Sequence, residues 1–142
     1  VGRRLILLVR RLRRHIGRRG AFLLFLAELD VIIALSLRLP LPYGLSPAQV
    51  YGLFAKVAPL DVWSDMFYGV ALACTVAALW HPARPLAFPL AAALKTLWGL
   101  LYIVAWLSGA MGRGYLSAAI WLTFASVVLI VSSWPEEPAR YR

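Results

Sequence analysis

The stretch FLLFLAELDVIIALSL, residues 22–37, is apolar almost throughout, yet Glu28 and Asp30 stand near its centre. A second apolar stretch, AAALKTLWGL, carries Lys95 in the same way. Two carboxyls and one ammonium in such surroundings can do three things. They can neutralise one another and fix how helices pack, they can pass a proton or an ion, or they can pair with a group on another chain. A charged side chain at the centre of a bilayer costs about 2.5–3.5 kcal/mol on insertion scales, so acid and base are expected to face each other and not lipid. Residues two apart on a helix point about 200° apart. Glu28 and Asp30 must therefore meet different neighbours, and Lys95 is expected to pair with only one of them. Thr123 and Ser126, which share a polar stripe with Ser133 further along, are the hydroxyls expected to meet the other. A register-fixing ion pair is the favoured reading of this cluster. A proton or ion path ranks second, and partner recognition within the bilayer third.

The elements that would position these groups follow from composition. With 62% hydrophobic and 15% charged residues, the chain lies outside the range of soluble domains and reads as a membrane protein. A span needs about 20 apolar residues in helical form. Four runs meet that length, at about 21–39, 62–81, 86–107 and 115–134, within a single membrane domain covering 1–142. Prolines 40, 42, 82, 85 and 135 punctuate their ends, and Gly109, Gly112 and Gly114 fall in the last turn. The expected fold is an all-α, four-helix transmembrane bundle. Counting about 1.5 Å per residue puts Asp30 and Lys95 at a shared depth of about 15 Å.

Two further helices are expected outside the spans. Residues 1–19 form a basic amphipathic segment with Leu5, Leu8, Leu12 and Ile16 along one stripe, lying on the inner membrane surface. Residues 47–58 form a short interfacial helix between spans 1 and 2, with Ser46 as N-cap, Pro47 at the first position and Val50, Leu53, Phe54 and Val57 on one face. An arginine-rich start before an apolar run also occurs in signal peptides, but this run is long and three more follow it, so it is read as retained.

Charge sets the orientation. Arg3, Arg4, Arg10, Arg11, Arg13, Arg14, Arg18 and Arg19 crowd the first nineteen residues with no acid among them. Together with Arg84, Arg140 and Arg142 they are expected to place both termini on the cytoplasmic side of the membrane, leaving Arg38, Lys56 and Arg113 outside. Trp63, Trp80, Trp106 and Trp134 are expected at headgroup level. The arginine run suits anionic lipid at about 1 kcal/mol per basic residue. No aromatic residue interleaves it for base stacking, so lipid is favoured over nucleic acid. Gly69, Ala73 and Ala77 make a small-residue stripe suited to packing within the chain, or to a homo-oligomer or another membrane protein. Asp65 reads as a first-turn carboxylate favoured by the helix dipole.

No catalytic constellation is present. His15 and His81 are isolated, and Cys74 is the sole cysteine, so no metal site, cofactor or intrachain disulfide is expected. The chain reads as a non-enzyme.

The stretches APLDVWSDMFYGVA, ALKTLWGLLYIVAWL, RGYLSAAIWLTFA and SSWPEEP together resemble small multi-pass membrane proteins encoded by bacteriophages of high-GC Gram-positive hosts, over about residues 10–138. The resemblance implies a phage-encoded protein of the host inner membrane and carries no functional residues. Three functions are consistent with the whole: an accessory or anchoring factor acting through lipid and protein contacts, a holin-like pore former, and a small proton-linked carrier using Glu28, Asp30 and Lys95.

Overall fold

The structure is a computed structural model that describes residues 2–40 and 42–135, with side chains described for 16–40 and 43–135. In chain order it contains α1 (Gly2–Ser36), a 3-10 turn (Pro42–Gly44), α2 (Pro47–Val50), α3 (Gly52–Val57), α4 (Leu60–Leu79), a 3-10 turn (His81–Ala83), α5 (Arg84–Leu107) and α6 (Gly114–Ser132). No strand occurs among the described residues. Among the described residues, three helical stretches are long and apolar enough to cross a membrane: Leu60–Leu79, His81–Leu107 and Gly114–Ser132. α1 is not one of them: even its last 18 residues hold Arg19 as well as Glu28 and Asp30.

The helices associate as two pairs. α1 lies along α4, α5 lies along α6, and a smaller α4–α5 contact joins the pairs. Gly99 lets α5 approach α6, because a Cβ there would sit 3.0 Å from Leu122 Cγ. Gly114 does the same where α6 begins, its imagined Cβ falling 2.8 Å from the Tyr102 carbonyl oxygen.

α1 is in fact two helical stretches joined at Gly17, whose φ of 63° and ψ of −175° belong to a region open essentially to glycine alone. The break leaves the Ile16 carbonyl turned out of the helical ladder. Arg84 fills that gap from the other side of the molecule, its guanidinium donating to Ile16 O at 2.8 Å, Ala77 O at 3.1 Å and Ala78 O at 3.3 Å. The last carbonyls of a helix lack partners within it and carry partial negative charge. One buried cation thus closes the end of α4 and the first stretch of α1 together. Gly20 makes room for it: a Cβ there would lie 2.7 Å from Ile16 Cγ2 and 2.9 Å from an Arg84 guanidinium nitrogen.

At the other end, the buried Ser64 hydroxyl donates to Ala34 O at 2.8 Å, pinning α4 to α1 a second time. Arg38 pairs with Asp65, lies 3.9 Å from Asp61 and stacks over the Tyr68 ring at 5.7 Å. α4 starts at Leu60, so Asp61 and not Asp65 occupies its first turn, and Asp65 serves as the Arg38 partner instead.

The segment expected as one interfacial helix is broken at Tyr51 into α2 and α3. Gln49 accepts from the Ser46 backbone N–H at 2.7 Å and closes the first turn of α2. The expected apolar stripe is split as well, with Val50 and Val57 exposed and Phe54 fully buried. Phe54 packs 4.4 Å from the Trp98 ring and 4.9 Å from Tyr102, and Trp63 and Phe67 stand edge-on to Trp98 at 5.1 and 5.2 Å. Trp63 accordingly packs into the core near the start of α4: it is 3% exposed and its indole N–H donates to Phe54 O at 3.0 Å. Trp80, Trp106 and Trp134 are exposed at helix ends. Of the small-residue stripe only Ala77 is buried, whereas a Cβ on Gly69 would meet nothing within 4 Å.

The two glycines of this pairing make opposite predictions for thermal melts in detergent. Gly20→Ala overpacks the Arg84 clasp and should lose about 1–3 kcal/mol. Gly69→Ala, on an open helical face, should be neutral or gain up to about 1 kcal/mol. Equal melting temperatures for the two variants would refute the clasp.

Candidate functional site

Of the three ionisable groups within the apolar stretches, the fold brings two together. Asp30 lies on the α1 face that packs against α4, in register with the buried Leu23, Leu26, Ala27 and Ala34. Lys95 lies on the face of α5 shared by the buried Ala91, Ala92 and Trp98. Lys95 Nζ donates to Asp30 Oδ1 at 2.6 Å, and both side chains are 0% exposed. The distance is that of a charge-assisted bond. The pair spans α1 and α5, whose backbones make no extended contact, so it is a crosspiece between the two helix pairs. Asp30 Oδ2, equally buried, has no hydrogen-bond partner among the described residues.

Glu28 stands apart from this pair. It is exposed and has no ion-pair or hydrogen-bond partner among the described residues. The 200° separation that puts Asp30 toward α4 puts Glu28 on the outer side of α1. The hydroxyls proposed as partners do not reach either carboxyl. Thr123 and Ser126 are both exposed on α6, and the Ser126 hydroxyl donates to its own helix at Leu122 O, 2.9 Å away. Such back-bonding to the carbonyl four residues earlier is the ordinary alternative for a serine with no other partner.

Of the arginines assigned to anionic lipid, the side chains of Arg3, Arg4, Arg10, Arg11, Arg13 and Arg14 lie outside the described residues. Arg18 is exposed, and the Arg19 guanidinium lies 5.1 Å from the centre of the Phe88 ring. Cys74 is buried and free, and no cluster of metal-ligating side chains occurs among the described residues.

Three determinants of this arrangement escape a reading based on hydropathy. Arg84 looks like a cytoplasmic topology signal but is 3% exposed and bonded to carbonyls. The available clue was its place between Pro82 and Pro85, where the end of α4 has unpaired acceptors to offer. Trp98 is the hub of the aromatic cluster and 1% exposed; a mid-span tryptophan, away from either interface, was the signal. Ser64 had no signal beyond its small size.

No family model, curated protein or solved structure matches the chain.

Breaking a buried pair by removing one partner costs about 3–5 kcal/mol, while replacing both with apolar residues is often neutral or stabilising. Lys95→Met alone should therefore melt well below the native chain in detergent, and the double variant Asp30→Leu, Lys95→Met should recover most of the loss. A double variant no better than the single one would show that the carboxylate was not the source of the cost.

Proposed function

We propose that this chain is a non-enzymatic, four-span protein of a bacterial inner membrane, acting through lipid and protein contacts as an accessory or anchoring factor. The fourth span is the second stretch of α1. By itself that stretch carries a buried charge into hydrocarbon; laid against α4, its Asp30 is neutralised by Lys95, Ser64 ties it at Ala34, and Arg84 holds the Ile16 carbonyl just before it. Arginine distribution supports a cytoplasmic location for both termini, and the likeness to phage-encoded multi-pass proteins supports a viral origin.

One observation carries the reading: the deeply placed base and one of the two acids are engaged with each other in a fully enclosed contact. A carrier needs its ionisable groups to reach solvent on alternate sides, and a pore needs a polar lining. Here the pair is enclosed by α1, α4 and α5, and the outer surfaces present residues such as Leu72, Leu86, Val104, Ile120 and Leu129, which suit acyl chains. The bonds fixing the pair also fix the helices around it. What is left for interaction is the outer surface and the basic segment before Gly17.

Purified chain reconstituted in liposomes with an internal pH dye should show no proton flux above that of empty vesicles, and its induced expression should leave cells impermeable to a membrane-excluded dye. Flux abolished by Asp30→Asn would establish the carrier in place of this reading, and abrupt permeabilisation would establish the holin.

A further inference from the structure

The outward face of α1 is not a uniform lipid-facing surface. Ala21, Phe25, Glu28, Ile32 and Leu35 are all exposed, at spacings of four, three, four and three residues. That is the narrow apolar seam by which one helix packs along another, and it lies on the side of α1 opposite Asp30. Its central member is a carboxyl. Glu28 is nine residues from Arg19 and ten from Arg38, hence about 14–15 Å along the helix from either charged end. At that distance its side chain cannot reach the headgroups. In hydrocarbon an unpaired carboxylate is among the most costly groups a span can present.

Resting on the reading of α1 as a fourth span, we infer that this seam docks a transmembrane helix of another protein, one that carries a single lysine or arginine in the middle of its span. The commitment to a cationic helix follows from charge complementarity. A second copy of this chain has only one basic residue deep in its apolar stretches, Lys95, and that residue is fully buried and bonded to Asp30. A second copy would therefore bring another Glu28 to the seam and place two carboxyls in contact. A helix with a central ammonium or guanidinium supplies the missing charge, as Lys95 does for Asp30 inside the molecule. Phe25 and Ile32, one turn away on either side, supply the apolar contacts flanking the ion pair. The molecule thus applies the same pairing rule twice, once within the bundle and once on its rim.

The probe is a pair of synthetic leucine-alanine helices of about 20 residues, identical except for lysine or leucine at the centre. Each carries an acceptor dye, and energy transfer from donor-labelled full-length chain is measured in neutral liposomes. The lysine helix should associate about five- to thirty-fold more strongly than the leucine helix. The preference should vanish in Glu28→Gln while the thermal melt stays native, because Glu28 is exposed and has no ion-pair or hydrogen-bond partner among the described residues. Equal association of the two probes overturns the inference, as does self-association of the native chain that depends on Glu28 in the absence of any lysine preference. A bimane on Ile32→Cys in a Cys74→Ala background separates the two levels of the argument. Quenching by lipids brominated deep in the acyl chain shows that α1 spans, so that missing lysine preference counts against docking alone. Quenching confined to the headgroup level overturns the spanning reading and this inference with it.

Discussion

An ammonium and a carboxylate in an apolar interior are tolerable only at hydrogen-bond distance from each other. The 2.6 Å contact between Lys95 and Asp30 meets that condition, and the arrangement of the helices follows from it. α1 alone is a poor membrane segment and α5 alone carries a buried lysine. Joined, they become a neutral element that fixes the rotation of both helices, since turning either by one residue would take a charge out of reach. The pair also compensates for the scarcity of direct packing between α1 and α5. Its worth is more in specifying one arrangement than in raw stability, as an apolar substitute for both partners is expected to fold about as well.

The layers on either side of the pair obey the same accounting of polar groups. Toward the Arg84 end, a backbone break at Gly17 exposes a carbonyl and a guanidinium satisfies it, together with two carbonyls at the end of α4. Toward the other end, Trp63 reaches over to the Phe54 carbonyl and ties down the segment between α1 and α4, while Ser64 bonds Ala34 within α1 itself. Between these polar ties the core mixes alanines with aliphatic residues such as Leu23, Leu26 and Val70, and a ring cluster centred on Trp98. Small residues let backbones approach, and rings fill the wider space under α3.

Much of this was legible in the sequence, for reasons that differ by element. Three apolar runs bounded by proline or glycine read directly as helices, because length and hydropathy are local properties. The pairing of Lys95 with a carboxyl was legible from cost, and the angular separation of Glu28 and Asp30 showed that one of them must do without it. Which one was not legible, since it depends on the rotation of α1 against α4, set by Gly20, Ala27 and Ala34 at the contact. The role of Arg84 was hidden because an arginine at a turn has the same local signature whether it faces headgroups or caps two helices. The interfacial helix was misjudged because periodicity placed Val50 and Phe54 on one face, while the break at Tyr51 turns Phe54 alone into the core.

The proposed role extends the same physics outward. The internal acid is neutralised by the protein's own lysine and the second acid is exposed on the opposite face, and on the proposal above the first holds the shape while the second meets another helix. The central claim is the identity of the internal pair. Its most direct measurement is a magic-angle-spinning recoupling experiment in lipid bilayers, on chain labelled with nitrogen-15 at lysine Nζ and carbon-13 at the side-chain carboxyls of aspartate. The account predicts strong dephasing of the Lys95 signal that disappears in Asp30→Asn prepared without carboxyl label at that position. A Lys95 signal that is undephased in the native chain, or one dephased only when glutamate carboxyls are labelled instead, would contradict it.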